Sequence, residues 1–227
     1  TDNNPSGRLA EQVDAALYLN HPYQRPVIGW AHEIEALNLK QVMAFYKKWY
    51  HPANAILVVG GDITLEKLKP LAEKHYGSIA KSQPNQRSRP TEPPHNAMRR
   101  VVLENERVRQ PSWGRTYLAP SYKGKDKRHA YALEVLANIF NNSSKTGLID
   151  KLNTENKILS ATGYSGIGGK DHGGFGFGFI PKDDSQTFDQ AESLMLGAID
   201  DVKNGRFDEG ALESIKLNMK MSHERSM

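Results

Sequence analysis

A histidine and two glutamates fall within four residues of the stretch Trp30-Ala31-His32-Glu33-Ile34-Glu35-Ala36-Leu37. These are residue types that hold zinc and activate a water on it. Two helical zinc signatures begin this way, H-E-x-x-H and its inverse H-x-x-E-H, and both require a second histidine four residues on. Position 36 is alanine. Zinc needs two imidazoles one helical turn apart on the same face, so His32 lacks its partner. Glu35 stands at the third position after His32, but a lone H-x-x-E pair is frequent by chance. The stretch is also short, caught between Gly29 and a helix cap at Asn38. The reading is a coincidence of residue types, with no metal ligand assigned.

The run from Ser165 to Ile180, SGIGGKDHGGFGFGFI, invites a phosphate-loop reading. A Walker loop places Ser or Thr after its Gly-Lys pair to reach magnesium; here Asp171 follows Gly169-Lys170. A dinucleotide loop must open a helix, whereas Phe175, Phe177 and Phe179 alternate with Gly176 and Gly178 as in a strand. One face of that strand is aromatic and the other bare, open to a helix or another backbone. A tight hairpin is expected, with no nucleotide bound. His172 reads as an exposed turn residue. His51, His75, His95, His129 and His223 stand apart from any ligand set. There is no G-x-S-x-G elbow and no cysteine, hence no thiol nucleophile, disulfide or thiolate metal site. No residue is assigned a catalytic, cofactor-binding or metal-binding role.

The elements around these stretches follow from hydrophobic spacing. Leu9, Val13, Ala16 and Leu17 predict a helix over 8–19, which Pro22 discourages from continuing. Asn38 and Gln41 form a capping box ahead of a stripe of Val42, Phe45, Tyr46 and Trp49, ended by His51-Pro52. The apolar run Ala55–Val59 predicts a buried strand. A helix follows with Leu65, Leu68, Leu71 and Ala72 inward and Gly77 after its end; Pro70 predicts a kink or a late start. Residues 80–98 hold four prolines and almost nothing apolar, and read as a semi-extended linker.

Beyond it, 101–103 and 112–118 predict strands and 127–141 a helix with Leu133, Leu136, Ala137 and Phe140 inward. Leu148–Leu152 predicts a short helix. Residues 160–165 and 175–180 predict a strand pair. Phe188, Ala191, Met195, Ala198 and Val202 mark a helix over 187–204, ended by Gly205, and a last helix starts near Asp208. Strands and helices in mixed order, with hairpin-like pairs, predict an α+β fold with antiparallel sheets.

The 227 residues, 38% hydrophobic and 25% charged, suffice to bury a core without staples. The net charge of +4 is spread among mixed signs with no basic, aromatic-studded face, which argues against nucleic acid as a partner. No stretch of 18 apolar residues occurs, so no membrane span is expected. The chain opens on TDNNPSG and ends in the uncapped helical pattern KLNMKMSHERSM. Both ends read as cut from a longer protein, leaving open whether it is periplasmic or cytoplasmic.

A further signal is the order of several motifs. His21-Pro22-Tyr23, Arg25-Pro26-Val27-Ile28-Gly29, Glu35-Ala36-Leu37, Phe45-Tyr46, Trp49-Tyr50-His51-Pro52-Ala53-Asn54, Val58-Val59-Gly60-Gly61-Asp62 and Tyr76-Gly77 follow in sequence. In this the chain resembles the pitrilysin/insulinase family of inverted-motif zinc metallopeptidases, in particular its short bacterial, processing-peptidase-like branch. The resemblance is specific over 1–79 and looser to 227. It implies repeated α+β domains, with 1–79 the back half of the first peptidase-like domain, 80–98 a linker and 99–227 the front part of the following inactive domain.

It also implies that the zinc ligands and the water-activating Glu lie upstream of Thr1, so zinc belongs to the parent protein and not to this segment. The family's substrate-holding Arg and Tyr match Asn153 and Ser160 or Ala161, so those groups are absent, or come from a partner chain. The implied role is scaffold and chamber wall of a peptidase acting on peptides. The alternative is part of a non-catalytic homologue serving as a partner or structural subunit. A homodimer or a paired family subunit is the expected assembly.

Overall fold

A computed structural model describes residues 3–80, 83, 86–141, 158–182 and 188–226. The chain divides into two compact units: Asn20–Thr91, and the rest, Thr1–Leu19 with Glu92–Met227.

The larger unit opens with helix α1 (Pro5–Leu17), where the Asn4 side chain accepts the Gly7 N–H and Pro5 takes a first-turn position that needs no donor. The sheet has three antiparallel strands: β1 (Trp113–Ala119), β2 (Ile158–Gly166) and β3 (Gly173–Pro181), in the order β1-β3-β2. Helix α5 (Lys127–Asn141) packs on β2, and α6 (Phe188–Lys203) on β3. Helix α7 (Glu209–Arg225), capped by Asp208, packs on α5, and α1 on β1. Gly205 ends α6 in the left-handed region, φ 72°, where glycine carries no Cβ penalty.

The alternation read in the glycine-rich run is what builds the core. Phe175, Phe177 and Phe179 point to one face of β3 and are 2–5% exposed. Phe140 of α5 meets Phe177 edge-on at 4.7 Å between ring centroids, and Trp113 of β1 stacks on Phe179 at 4.9 Å. Met195 and Ala198 of α6 and Ala137 of α5 close the layer. Each buried phenylalanine contributes about 1.5–3 kcal/mol by leaving water. The inward positions expected on α5 and α6 are thus filled as read, with Leu133, Leu136 and Val202 packed at the margin. The side chains of Phe188 and Ala191 lie outside the described residues, as does the helix expected at Leu148–Leu152.

The unit Asn20–Thr91 contains α2 (Ala31–Glu35), α3 (Leu39–Trp49) and α4 (Leu65–Tyr76). The capping box of α3 forms as expected: the Asn38 side chain accepts from the Gln41 N–H at 3.1 Å, and the Gln41 side chain accepts from the Asn38 N–H at 3.0 Å. Pro70 lies inside α4, so the helix does not start late.

Two expectations fail. Ala55–Val59 is not a buried strand: Ile56 is 91% and Val58 85% exposed, and no strand assignment covers the run. An apolar run becomes a buried strand only where another strand supplies hydrogen-bond partners and other side chains cover its faces. Among the described residues nothing does so. Residues 101–103 likewise form no strand, and Val102 is exposed.

Candidate functional site

The His32 stretch forms a helical turn, α2. Gly29, at φ 87°, turns the chain into it. The Glu33 carboxylate accepts the backbone N–H of Trp30 at 3.3 Å and pairs with the Arg25 guanidinium. The glutamate that would activate a water is thereby spent on capping its own helix and on an ion pair. His32 and Glu35 are exposed, and position 36 offers only a methyl group. The residues present do not fit a zinc ion. Among the described residues no group of three or more His, Asp and Glu is placed to hold a metal.

The glycine-rich run forms the β2–β3 hairpin, with Gly166 opposite Gly174 and the turn between. It opens a strand and not a helix, so it presents no helix N-terminus to a phosphate. The bare face is not approached by a helix, contrary to one expectation. The Tyr164 side chain of β2 instead lies across Gly176 of β3, and its hydroxyl bonds to Thr116 of β1. A Cβ on Gly176 would sit 2.4 Å from the Tyr164 hydroxyl oxygen and 2.5 Å from the Arg115 carbonyl oxygen, so any larger residue here forces its neighbours to shift. The outcome is a flat face lined by Gly114, Thr162, Tyr164 and Gly166, all exposed. His172 is half-buried, and its backbone carbonyl accepts from the Tyr18 hydroxyl at 3.5 Å.

One polar constellation escaped the sequence reading. Glu92, in the proline-rich segment expected to stay solvated, has a fully buried side chain. It accepts the backbone N–H of Leu19 at 2.5 Å and faces His95 Nε2 at 3.0 Å. Arg99 adds a bond to the carbonyl of Ala16 at 3.0 Å, near the end of α1. His95 therefore does not stand alone. The signal was an E-x-x-H spacing outside any helix, which has no meaning until the fold brings Leu19 alongside. The cluster satisfies a helix end.

Titration behaviour points the same way. Burial raises the Asp14 carboxyl above its ordinary value. Backbone and Thr64 hydrogen bonds lower that of Glu66 at the start of α4. Burial first, then the bond to Glu134, pushes the Tyr122 hydroxyl well above the usual phenol range. These groups sit on three separate elements, without the paired, opposed shifts of an acid and a base sharing a site. Ser160, at the position matching the family's Tyr, is exposed on β2, and Ala161 packs at the core margin. Asn153 lies outside the described residues.

Comparison with known proteins gives this arrangement its place. Residues 36–219 match the family described as Peptidase M16 inactive domain. The chain belongs to that family. Its similarity to the zinc protease PqqE of Helicobacter pylori is 27% identity over 226 residues, covering 97% of this chain and 49% of that protein. The M16 inactive domain also shares its fold with a crystallised Helicobacter pylori protease, at a TM-score of 0.75 and 24% identity, covering 99% of this chain and 54% of the other. For the periplasmic protease PqqL of Escherichia coli the values are 0.71 and 17%, with 97% and 24% covered. The α+β fold and the family resemblance read from the motifs of 1–79 are both met. The M16 inactive domain here spans about half the length of the PqqE it matches, and among its described residues no helix is long and apolar enough to cross a membrane.

Proposed function

We propose that this chain is the non-catalytic half of a zinc-dependent peptidase, serving as scaffold and as wall of the chamber that holds an extended peptide. The observation that carries the reading is the inactive-domain match over 36–219 in a chain whose one zinc-like stretch has its glutamate tied to Arg25 and Trp30. The zinc ligands and the water-activating group then belong to the remainder of the protein. The first domain's back half would be 1–79 and the inactive domain's front part 99–227, joined by the proline-rich 80–98. The exposed sheet face of Gly114, Thr162 and Tyr164 is the surface assigned to contact with the extended peptide.

The test is elemental analysis of the chain after chelation and reloading with zinc, with a peptidase assay alongside. The expected result is neither stoichiometric zinc nor cleavage. One tightly held zinc per chain, lost in His32→Ala, overturns the reading. In the whole protein, a photo-reactive residue at Thr162 should cross-link a bound peptide; failure to do so removes the chamber-wall role.

A further inference from the structure

The sequence holds one Asn-Gly step, Asn204-Gly205. It stands at the end of α6, where Gly205 takes φ 72° and the helix stops. Asparagine before glycine is open to attack from its own backbone, because glycine has no side chain to shield its nitrogen. That nitrogen can reach Asn204 Cγ and close a succinimide ring.

The fold holds the two reacting groups apart. Asn204 Nδ2 donates to the Asp200 carbonyl at 2.8 Å and to Asp200 Oδ2 at 3.1 Å, so the side-chain amide is drawn back one helical turn, away from Gly205. The Gly205 N–H donates to the Val202 carbonyl at 3.0 Å, which keeps its proton in place. Just beyond, the Arg206 backbone N–H and Nε both bond to Asp201, at 2.8 and 2.9 Å. These bonds latch the turn, yet the last turn of a helix opens more readily than its middle.

We propose that Asn204-Gly205 is a self-modification site, closed in the folded chain by the end of α6 and opened when that last turn unwinds. In the open turn the Gly205 nitrogen gives its proton to hydroxide and attacks Asn204 Cγ. The new C–N bond forms as the Cγ–Nδ2 bond breaks, and the amide leaves as ammonia after taking a proton from water. A second water then opens the succinimide to an aspartyl or isoaspartyl link. The product carboxylate accepts where Nδ2 donated, so both bonds to Asp200 are lost. It also adds a negative charge at a helix C-terminus already carrying Asp200 and Asp201, with Lys203 and Arg206 as the neighbouring cations. The latch therefore does not re-form, on a helix that supplies Met195 and Ala198 to the core. This inference does not rest on the peptidase reading, since it concerns only the bonds at one helix end.

The test follows the peptide containing Asn204 by mass spectrometry during storage in mildly alkaline buffer, folded and in urea, with aspartyl and isoaspartyl forms separated by chromatography. Conversion in urea should be at least about 10-fold faster than in the folded chain, because several hydrogen bonds must break before the turn can react. Asp200→Ala removes the Oδ2 acceptor and should speed conversion of the folded chain about 2- to 10-fold. Asn204→Asp, which carries the product's charge, should lower the melting temperature by about 2–4 °C. No conversion in urea overturns the site. Equal rates folded and unfolded, or a folded Asp200→Ala chain that converts no faster, overturns the latch, and the comparison in urea decides should Asp200→Ala misfold. An Asn204→Asp chain that melts with the parent overturns the loss of the latch on modification.

Discussion

Phe177 and Phe45 both lie on amphipathic elements, yet one is 2% exposed and the other 59%. The larger unit meets the aromatic face of β3 with α5 and α6, and the described inward positions of both helices pack in or against that core. The unit Asn20–Thr91 presents stripes just as regular on α3 and α4, and Val42, Phe45, Tyr46, Leu65 and Leu71 of those stripes are exposed. Amphipathic spacing determines which side of a helix must be covered. It does not supply the cover.

The contrast can be broken most sharply at Phe177. Phe177→Ala removes a ring held between Phe140 and Phe175 and should cost about 3–5 kcal/mol in chemical denaturation. Phe45→Ala, on an exposed position of α3, should stay within about 0.5 kcal/mol. Comparable costs would mean that the α3 face is covered after all.

A smaller effect belongs to Gly176→Ala. Its methyl group would press on Tyr164 and on the Arg115 carbonyl, and overpacking of this kind costs about 1–3 kcal/mol. Adding Tyr164→Ala should recover only part of it, because the carbonyl stays in place. Thermal melts of the single and double variants read the difference.

Glu92→Gln comes next. It keeps an acceptor for Leu19 but loses the charge that strengthens both bonds, and a loss of about 1–2 kcal/mol in urea denaturation is expected. The least effect is at Glu33, whose pair with Arg25 is half in solvent: Glu33→Gln should cost under about 1 kcal/mol. A larger loss there would show that α2 is less peripheral than it looks.

The legibility of these two regions differed for a physical reason. The helix at 127–141 and the β2–β3 hairpin announced themselves through local period, because their inward and outward residues alternate within a few positions. The capping box at Asn38 was legible for the same reason. Ala55–Val59 has the composition of a strand, but pairing is a property of the neighbour and not of the run. Glu92 was missed because its segment is rich in proline and polar residues, and only the return of the chain beside Leu19 buries it. The pairing of Glu33 with Arg25 depends on the turn at Gly29, which a motif template does not contain.

The Glu92 clamp has a consequence for how this molecule could be rearranged. Leu19 and Glu92 are the points where the chain leaves the larger unit and returns to it, and a 2.5 Å bond joins them. On the other side of the same crossing, the Asn20 side chain bonds to the Thr91 carbonyl at 3.2 Å. The two ends of Asn20–Thr91 are therefore held side by side, as at the base of a stem. Such a segment reads as an interchangeable insert: a linker of roughly four to six residues should replace it and lower the entropic cost of closing the loop by about 2 kcal/mol. The trimmed chain would keep α1, the sheet and its aromatic layer, and the vacated stem would accept a foreign domain whose termini are equally close.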